Sequence, residues 1–137
     1  TSAPTGRFYP SAVWTGTEMV VWGGSDAGGY PNSGSRYNPT ADAWTAMSTA
    51  SAPATGSIYQ ATVWTGTEML AWGGHNGAAV GIGGRFNAAT NSWAAISTAS
   101  APSARFGPAA VWTGSQMIVW SGYNGTSYLG TGGRYTP

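Results

Sequence analysis

Residues Val13 to Gly24 read V-W-T-G-T-E-M-V-V-W-G-G, and this stretch decides the fold. It returns at Val63 to Gly74 as V-W-T-G-T-E-M-L-A-W-G-G and at Val111 to Gly122 as V-W-T-G-S-Q-M-I-V-W-S-G. Each copy reads as a β-hairpin: an apolar strand ending in Trp-Thr, a tight turn, and a second apolar strand ending in Trp. Gly16, Gly66 and Gly114 stand first of the two central turn residues, where a type II′ turn needs positive φ and so favours glycine. The second strand, Met19-Val20-Val21-Trp22, is apolar on both faces, which predicts protein cover on both. Trp14, Trp64 and Trp112 are expected at equivalent, buried positions.

Working outward, the whole chain repeats. Ala3-Pro4, Ala52-Pro53 and Ala101-Pro102 lie 49 residues apart, as do Arg36, Arg85 and Arg134. Trp44 and Trp93 share that interval, while Trp14, Trp64 and Trp112 are 50 and 48 apart. One extra residue in Ala54 to Gln60 explains the difference, and a lone insertion in a constant period marks a loop. The repeats run over about 5–53, 54–102 and 103–137 of a single unit, 1–137. Each carries two hairpin strands, a Gly-, Ser- and Asn-rich loop, and a short third strand around Arg36-Tyr37. A turn over Asn38 to Asp42 and a fourth strand, Trp44-Thr45-Ala46-Met47, complete it. No segment has the apolar stripe and caps of a helix.

Four short strands per repeat of about 50 residues indicate a propeller blade. The order of apolar hairpin, Gly23-Gly24 or Gly73-Gly74, variable loop, Arg followed by Tyr37, Phe86 or Tyr135, and then Trp44 or Trp93 resembles the kelch repeat along the whole chain. Ser121 departs from the Gly doublet, and Asn38 and Asn87 stand where many kelch repeats have Asp. The resemblance implies an all-β, kelch-like propeller and carries little chemistry with it. Three blades, the third lacking its outer strand, fall short of a ring of four to eight. Either a second copy closes six blades, giving a homodimer, or further chain does. The opening Thr1-Ser2-Ala3-Pro4 reads as part of a linker in a mature or excised segment.

Composition narrows the function classes. The chain holds five Arg, no Lys, two Asp, two Glu and one His, for a formal net charge of +1. That balance gives no electrostatic basis for binding nucleic acid, and no apolar run approaches the roughly 20 residues of a membrane span. With no Cys and only His75, the chain lacks the ligands of a zinc, calcium or copper site, and no cofactor is implied. Glu18 and Glu68 occupy the same hairpin position, replaced by Gln116 in the third repeat, and so read as structural, not as a catalytic pair. Arg36, Arg85 and Arg134 recur with the fold and read the same way. Abundant Ala, Thr, Ser, Gly and Trp without Lys favours an extracellular or cell-surface location.

Function is expected where the repeats differ on a shared loop. The loop after the second strand carries His75 and Asn76, then Tyr123 and Asn124. The loop leading into the first strand carries Arg7, Tyr9, Tyr59 and Arg105. In kelch-like propellers both loops border the ring's central mouth, which is what the resemblance implies for these eight residues. Stacking rings and planar donors there suit a protein or glycan ligand; the bland alternative is ordinary loop chemistry. The resulting expectation is a non-enzymatic recognition or scaffold module, with a purely structural surface subunit as the alternative and an enzyme behind both.

Overall fold

The computed structural model describes residues 2–137; Thr1, assigned above to a linker, lies outside them. Eleven strands form three antiparallel sheets, and no helix occurs among the described residues. The first sheet holds β1 (Ser11–Trp14), β2 (Met19–Trp22), β3 (Gly34–Asn38) and β4 (Ala43–Ala46) in that order. The second repeats it with β5 (Ala61–Trp64), β6 (Glu68–Trp72), β7 (Gly83–Asn87) and β8 (Ser92–Ala95). The third has β9 (Ala109–Trp112), β10 (Met117–Trp120) and β11 (Gly132–Tyr135) only.

The hairpin turns close as their glycines demand. Gly16, Gly66 and Gly114 take φ of 102°, 103° and 99°, and the preceding Thr side chain accepts the amide N–H of Glu18, Glu68 or Gln116 at 2.9–3.0 Å. Register repeats as well: Trp14 faces Met19, Trp64 faces Met69 and Trp112 faces Met117.

The sheets pack face on face, with first strands side by side: β1 neighbours β5, and β5 neighbours β9. Thr62 Oγ1 donates to Ser11 Oγ at 2.9 Å across the first junction. Between sheets one and two lie Val20, Trp22 and Met47 against Met69, Phe86 and Trp93. Between sheets two and three, Leu70, Trp72 and Ile96 meet Met117 and Val119. Thus each sheet offers a Val/Leu–Trp face to its successor and a Met–aromatic face to its predecessor. Burying one such large apolar side chain contributes about 1.5–3 kcal/mol, so these two junctions are where the fold is held.

Two expectations are corrected at the outer faces. Trp14, Trp64 and Trp112 are equivalent but not buried: Trp64 and Trp112 are half-buried against the preceding sheet, and Trp14 is 53% exposed because no sheet precedes its own. β10 is covered on one face only, leaving Ile118 and Trp120 exposed at 40% and 56%. Among the described residues the three sheets close neither a barrel nor a ring.

Candidate functional site

In every repeat the loop leading into the first strand pairs with the loop following the second. Phe8 and Ser25 exchange backbone hydrogen bonds at 2.7 and 2.9 Å, Ile58 and His75 at 3.0 and 2.8 Å, and Phe106 and Tyr123 at 3.0 and 2.9 Å. Adjacent repeats are stitched together by Gly24 N–H to Ser57 O (3.0 Å), Gly74 N–H to Arg105 O (2.9 Å) and Gly107 N–H to Tyr59 O (2.9 Å). One end of all three sheets is therefore a single hydrogen-bonded surface.

Aromatic rings cover that surface in an unbroken ribbon. Phe8 touches Tyr9 at 3.9 Å between centroids, Tyr9 touches Tyr59 at 4.6 Å, and Tyr59 stacks towards Phe106 at 6.4 Å. From Phe106 the contacts branch to His75 at 5.0 Å and to Tyr123 at 5.5 Å, which meets Tyr128 at 5.0 Å. On the other side Tyr30 reaches His75, its hydroxyl 3.3 Å from Nδ1. Tyr59, Phe106, Tyr123 and Tyr128 line an open groove along it. Phe8 and Tyr128 are 61% and 89% exposed, and Tyr9 and Tyr59 about half. Desolvation, then the adjoining Tyr9 hydroxyl, raises the Tyr59 pKa above the ordinary phenol value.

The ribbon is held at a conformational cost. Tyr9 and Tyr59 sit at φ of 47° and 55°, in the left-handed region, while the third repeat has Gly107 there at 64°. A residue with a Cβ loses about 1–2 kcal/mol in that region, and such outliers cluster at functional surfaces.

The eight residues singled out from the sequence divide. Tyr9, Tyr59, His75 and Tyr123 are brought together in the ribbon. Asn76 Nδ2 donates to Thr55 Oγ1 at 2.7 Å, and Asn124 Oδ1 caps its own turn by accepting Thr126 and Ser127 N–H at 2.8 and 2.7 Å.

Arg7 and Arg105 are committed beneath the surface. Arg105 is 1% exposed. Its Nε donates to Ser103 O (2.9 Å), Nη1 to Ser121 O and Thr131 O (3.0 and 2.6 Å), and Nη2 to Ser103 Oγ and Thr131 Oγ1 (3.1 and 3.2 Å). Arg7 repeats the pattern on Thr5, Gly23 and Ser33. Burial lowers both guanidinium pKa values, yet an arginine stays charged at any physiological pH. All five donors being used, each guanidinium braces the loops that carry the rings.

Phe8, Phe106, Tyr30 and Tyr128 complete the ribbon although sequence reasoning passed over them. For Tyr128 a signal existed: it bridges Tyr123 where the second repeat has Ala79 bridging His75. Among the described residues no three His, Cys, Asp or Glu side chains converge. No protein-family model matches the chain, and no curated protein matches it.

Proposed function

We propose that the chain is a non-enzymatic recognition module, a set of kelch-like propeller blades whose aromatic ribbon binds a neutral glycan outside the cytoplasm. The observation that carries this reading is the ribbon itself: eight contacting rings, four of them about half or more exposed, on a hydrogen-bonded base. Flat rings with hydroxyl tips stack on the apolar faces of sugar rings and hydrogen-bond at their edges. Charge argues for a neutral ligand, since the two nearest cations already spend every donor on carbonyl and hydroxyl oxygens. Support for the blades is the repetition of strand order, register and face-to-face packing, and in such a ring the ribbon, where the first strands begin, would border the mouth.

Titration calorimetry with neutral oligosaccharides tests this reading. Tyr128→Ala and Tyr59→Ala should each weaken binding by about 1–2 kcal/mol, the worth of one stacking contact. Equal capture by both variants, or capture of peptides alone, would discard the glycan reading. A second reading, a structural subunit of a surface assembly, is favoured by the exposed apolar faces of the first and third sheets. The same faces support closure of the ring by a second copy or by further chain.

A further inference from the structure

Two tyrosines meet at a position where the backbone favours glycine. Tyr9 and Tyr59 stand at equivalent places in the first and second repeats, both in the left-handed region, and the third repeat carries Gly107 there. A side chain at such a place is kept against a backbone penalty, and both repeats keep the same one. Their rings lie 4.6 Å apart between centroids and tilt by 44°, so the two phenols touch across the boundary between repeats. Each ring projects from a fixed backbone. Phe8 and Ile58, one residue earlier, pair with Ser25 and His75, and Gly24 N–H donates to Ser57 O at 3.0 Å, tying one loop to the next. Both phenols are about half exposed and so open to an oxidant. Phe8 and Phe106 flank them, and a phenyl ring does not surrender an electron to oxidants that take one from a phenol. Of the two tyrosine pairs in ring contact among the described residues, this one joins two repeats. The other, Tyr123 with Tyr128, lies within a single loop.

We propose that Tyr9 and Tyr59 form an oxidative cross-linking site, coupling as a dityrosine that staples the first two repeats together at the ribbon. The oxidant is hydrogen peroxide acting through a haem peroxidase, which takes one electron and one proton from each hydroxyl. The two phenoxyl radicals then pair their electrons in a new C–C bond between ring carbons ortho to oxygen. Each coupled carbon passes its hydrogen to the oxygen of its own ring, which restores both phenols. The pair has lost two hydrogens in all, and one peroxide has become two waters. Contact already made in the resting fold selects this pair, because its radicals need no diffusion to meet. The link constrains the unfolded chain as a disulfide does, in a chain that has no cysteine. It needs no ligand on the ribbon and stands apart from the glycan reading.

The test treats the whole chain, dilute, with a haem peroxidase and hydrogen peroxide, isolates the single-chain band from a denaturing gel, and digests it with trypsin. With five Arg and no Lys, cleavage puts Tyr9 in fragment 8–36, Tyr59 in 37–85, and Tyr123 with Tyr128 in 106–134. Mass spectrometry should find 8–36 joined to 37–85 with two hydrogens missing. Fragment-ion sequencing of that species should place the link at Tyr9 and Tyr59. Tyr9→Phe and Tyr59→Phe, which keep a ring in each place and lose the hydroxyl, should each abolish the joined species. Should either variant fail to fold, the position of the link in the wild-type chain still decides. A link that maps to Tyr30 or Tyr37, or joining that persists in a folded variant, would overturn the proposal. So would joining confined to the two-chain band, or no joined species in the oxidised wild-type chain, whatever happens within 106–134.

Discussion

At the residue scale the arginines teach most. A sequence places Arg7 and Arg105 beside aromatic residues in variable loops, where a ligand-binding role is the natural inference. Nothing in a sequence distinguishes a guanidinium that points out from one that turns under its own loop. The second repeat makes the bracing role visible, for Ser57 stands at the equivalent position and its Oγ donates to Gly73 O at 3.1 Å, the carbonyl matching Gly23 O and Ser121 O. Arg105→Ala should therefore cost about 3 kcal/mol, roughly 10 °C in melting temperature for a domain this size, by stranding several buried acceptors. Calorimetric melting checks it; an unchanged melt with lost binding would return Arg105 to the ligand. Tyr59→Gly should separate the two roles in the opposite sense. It removes the strained φ, a gain of about 1 kcal/mol offset by the entropy a glycine adds to the unfolded chain, and so should leave stability nearly unchanged while weakening sugar binding.

Two tyrosines give a pH prediction at the same scale. The Tyr37 hydroxyl donates to Asp42 Oδ1 at 2.7 Å, and that hydrogen bond raises its pKa; partial desolvation does so for Tyr59. A raised phenol pKa favours the neutral form in the folded state. Its contribution is thus complete below the unfolded value of about 10 and is lost as pH climbs through the folded value. Ultraviolet titration of the folded chain should show two tyrosines ionising late, and Asp42→Asn should bring one of them down.

At the scale of elements the sequence was legible wherever a period was short and local. Each hairpin, its turn glycine and its Trp boundary follow from alternation and turn chemistry, and the observed strands differ from that reading by a residue or two. Exposure was not legible, because Trp14 and Trp64 have identical local sequences and differ only in whether another sheet lies beside them. The same holds for the ribbon: loop variability pointed to its address, but its continuity rests on contacts between repeats, Tyr9 to Tyr59, Tyr59 to Phe106 and Tyr30 to His75. The Gly doublet shows how a neighbour writes itself into sequence. Gly23 and Gly73 take φ of 67° and 74°, and a Cβ on either would come within 2.8–2.9 Å of the next repeat's Ser57 O or Arg105 O. Ser121 holds the same left-handed φ, 67°, with no next repeat against it. Ser121→Gly should stabilise the chain by about 1 kcal/mol through relief of that strain; a fall in denaturant midpoint would show that the serine side chain has a compensating partner.

At the scale of the whole molecule, what is left uncovered argues for assembly. The outer face of sheet one carries Trp14, Met19 and Tyr37, the counterparts of residues that sheets two and three present to their predecessors. Sheet three leaves Val111, Ile118 and Trp120 exposed, counterparts of Val13, Val20 and Trp22, which sheet one buries against its successor. The two free faces are thus the two halves of a junction the chain builds twice internally. A second copy can supply both at once under two-fold symmetry, the commonest oligomer symmetry, with an interface of the obligate class, roughly 2,000 Å² or more. Light scattering should give a dimer, against 14.0 kDa for one chain. Ile118→Asp, which places an unpaired charge at the centre of that junction, should yield the single-chain mass with circular dichroism unchanged. Closure also has a steric signature: Ser121 would bring its Cβ to the position where Gly23 and Gly73 admit a neighbouring carbonyl, so Ser121→Gly should tighten the dimer as well as the fold. A wild-type chain that stays folded and monomeric at high concentration would leave closure to further chain and remove the homodimer.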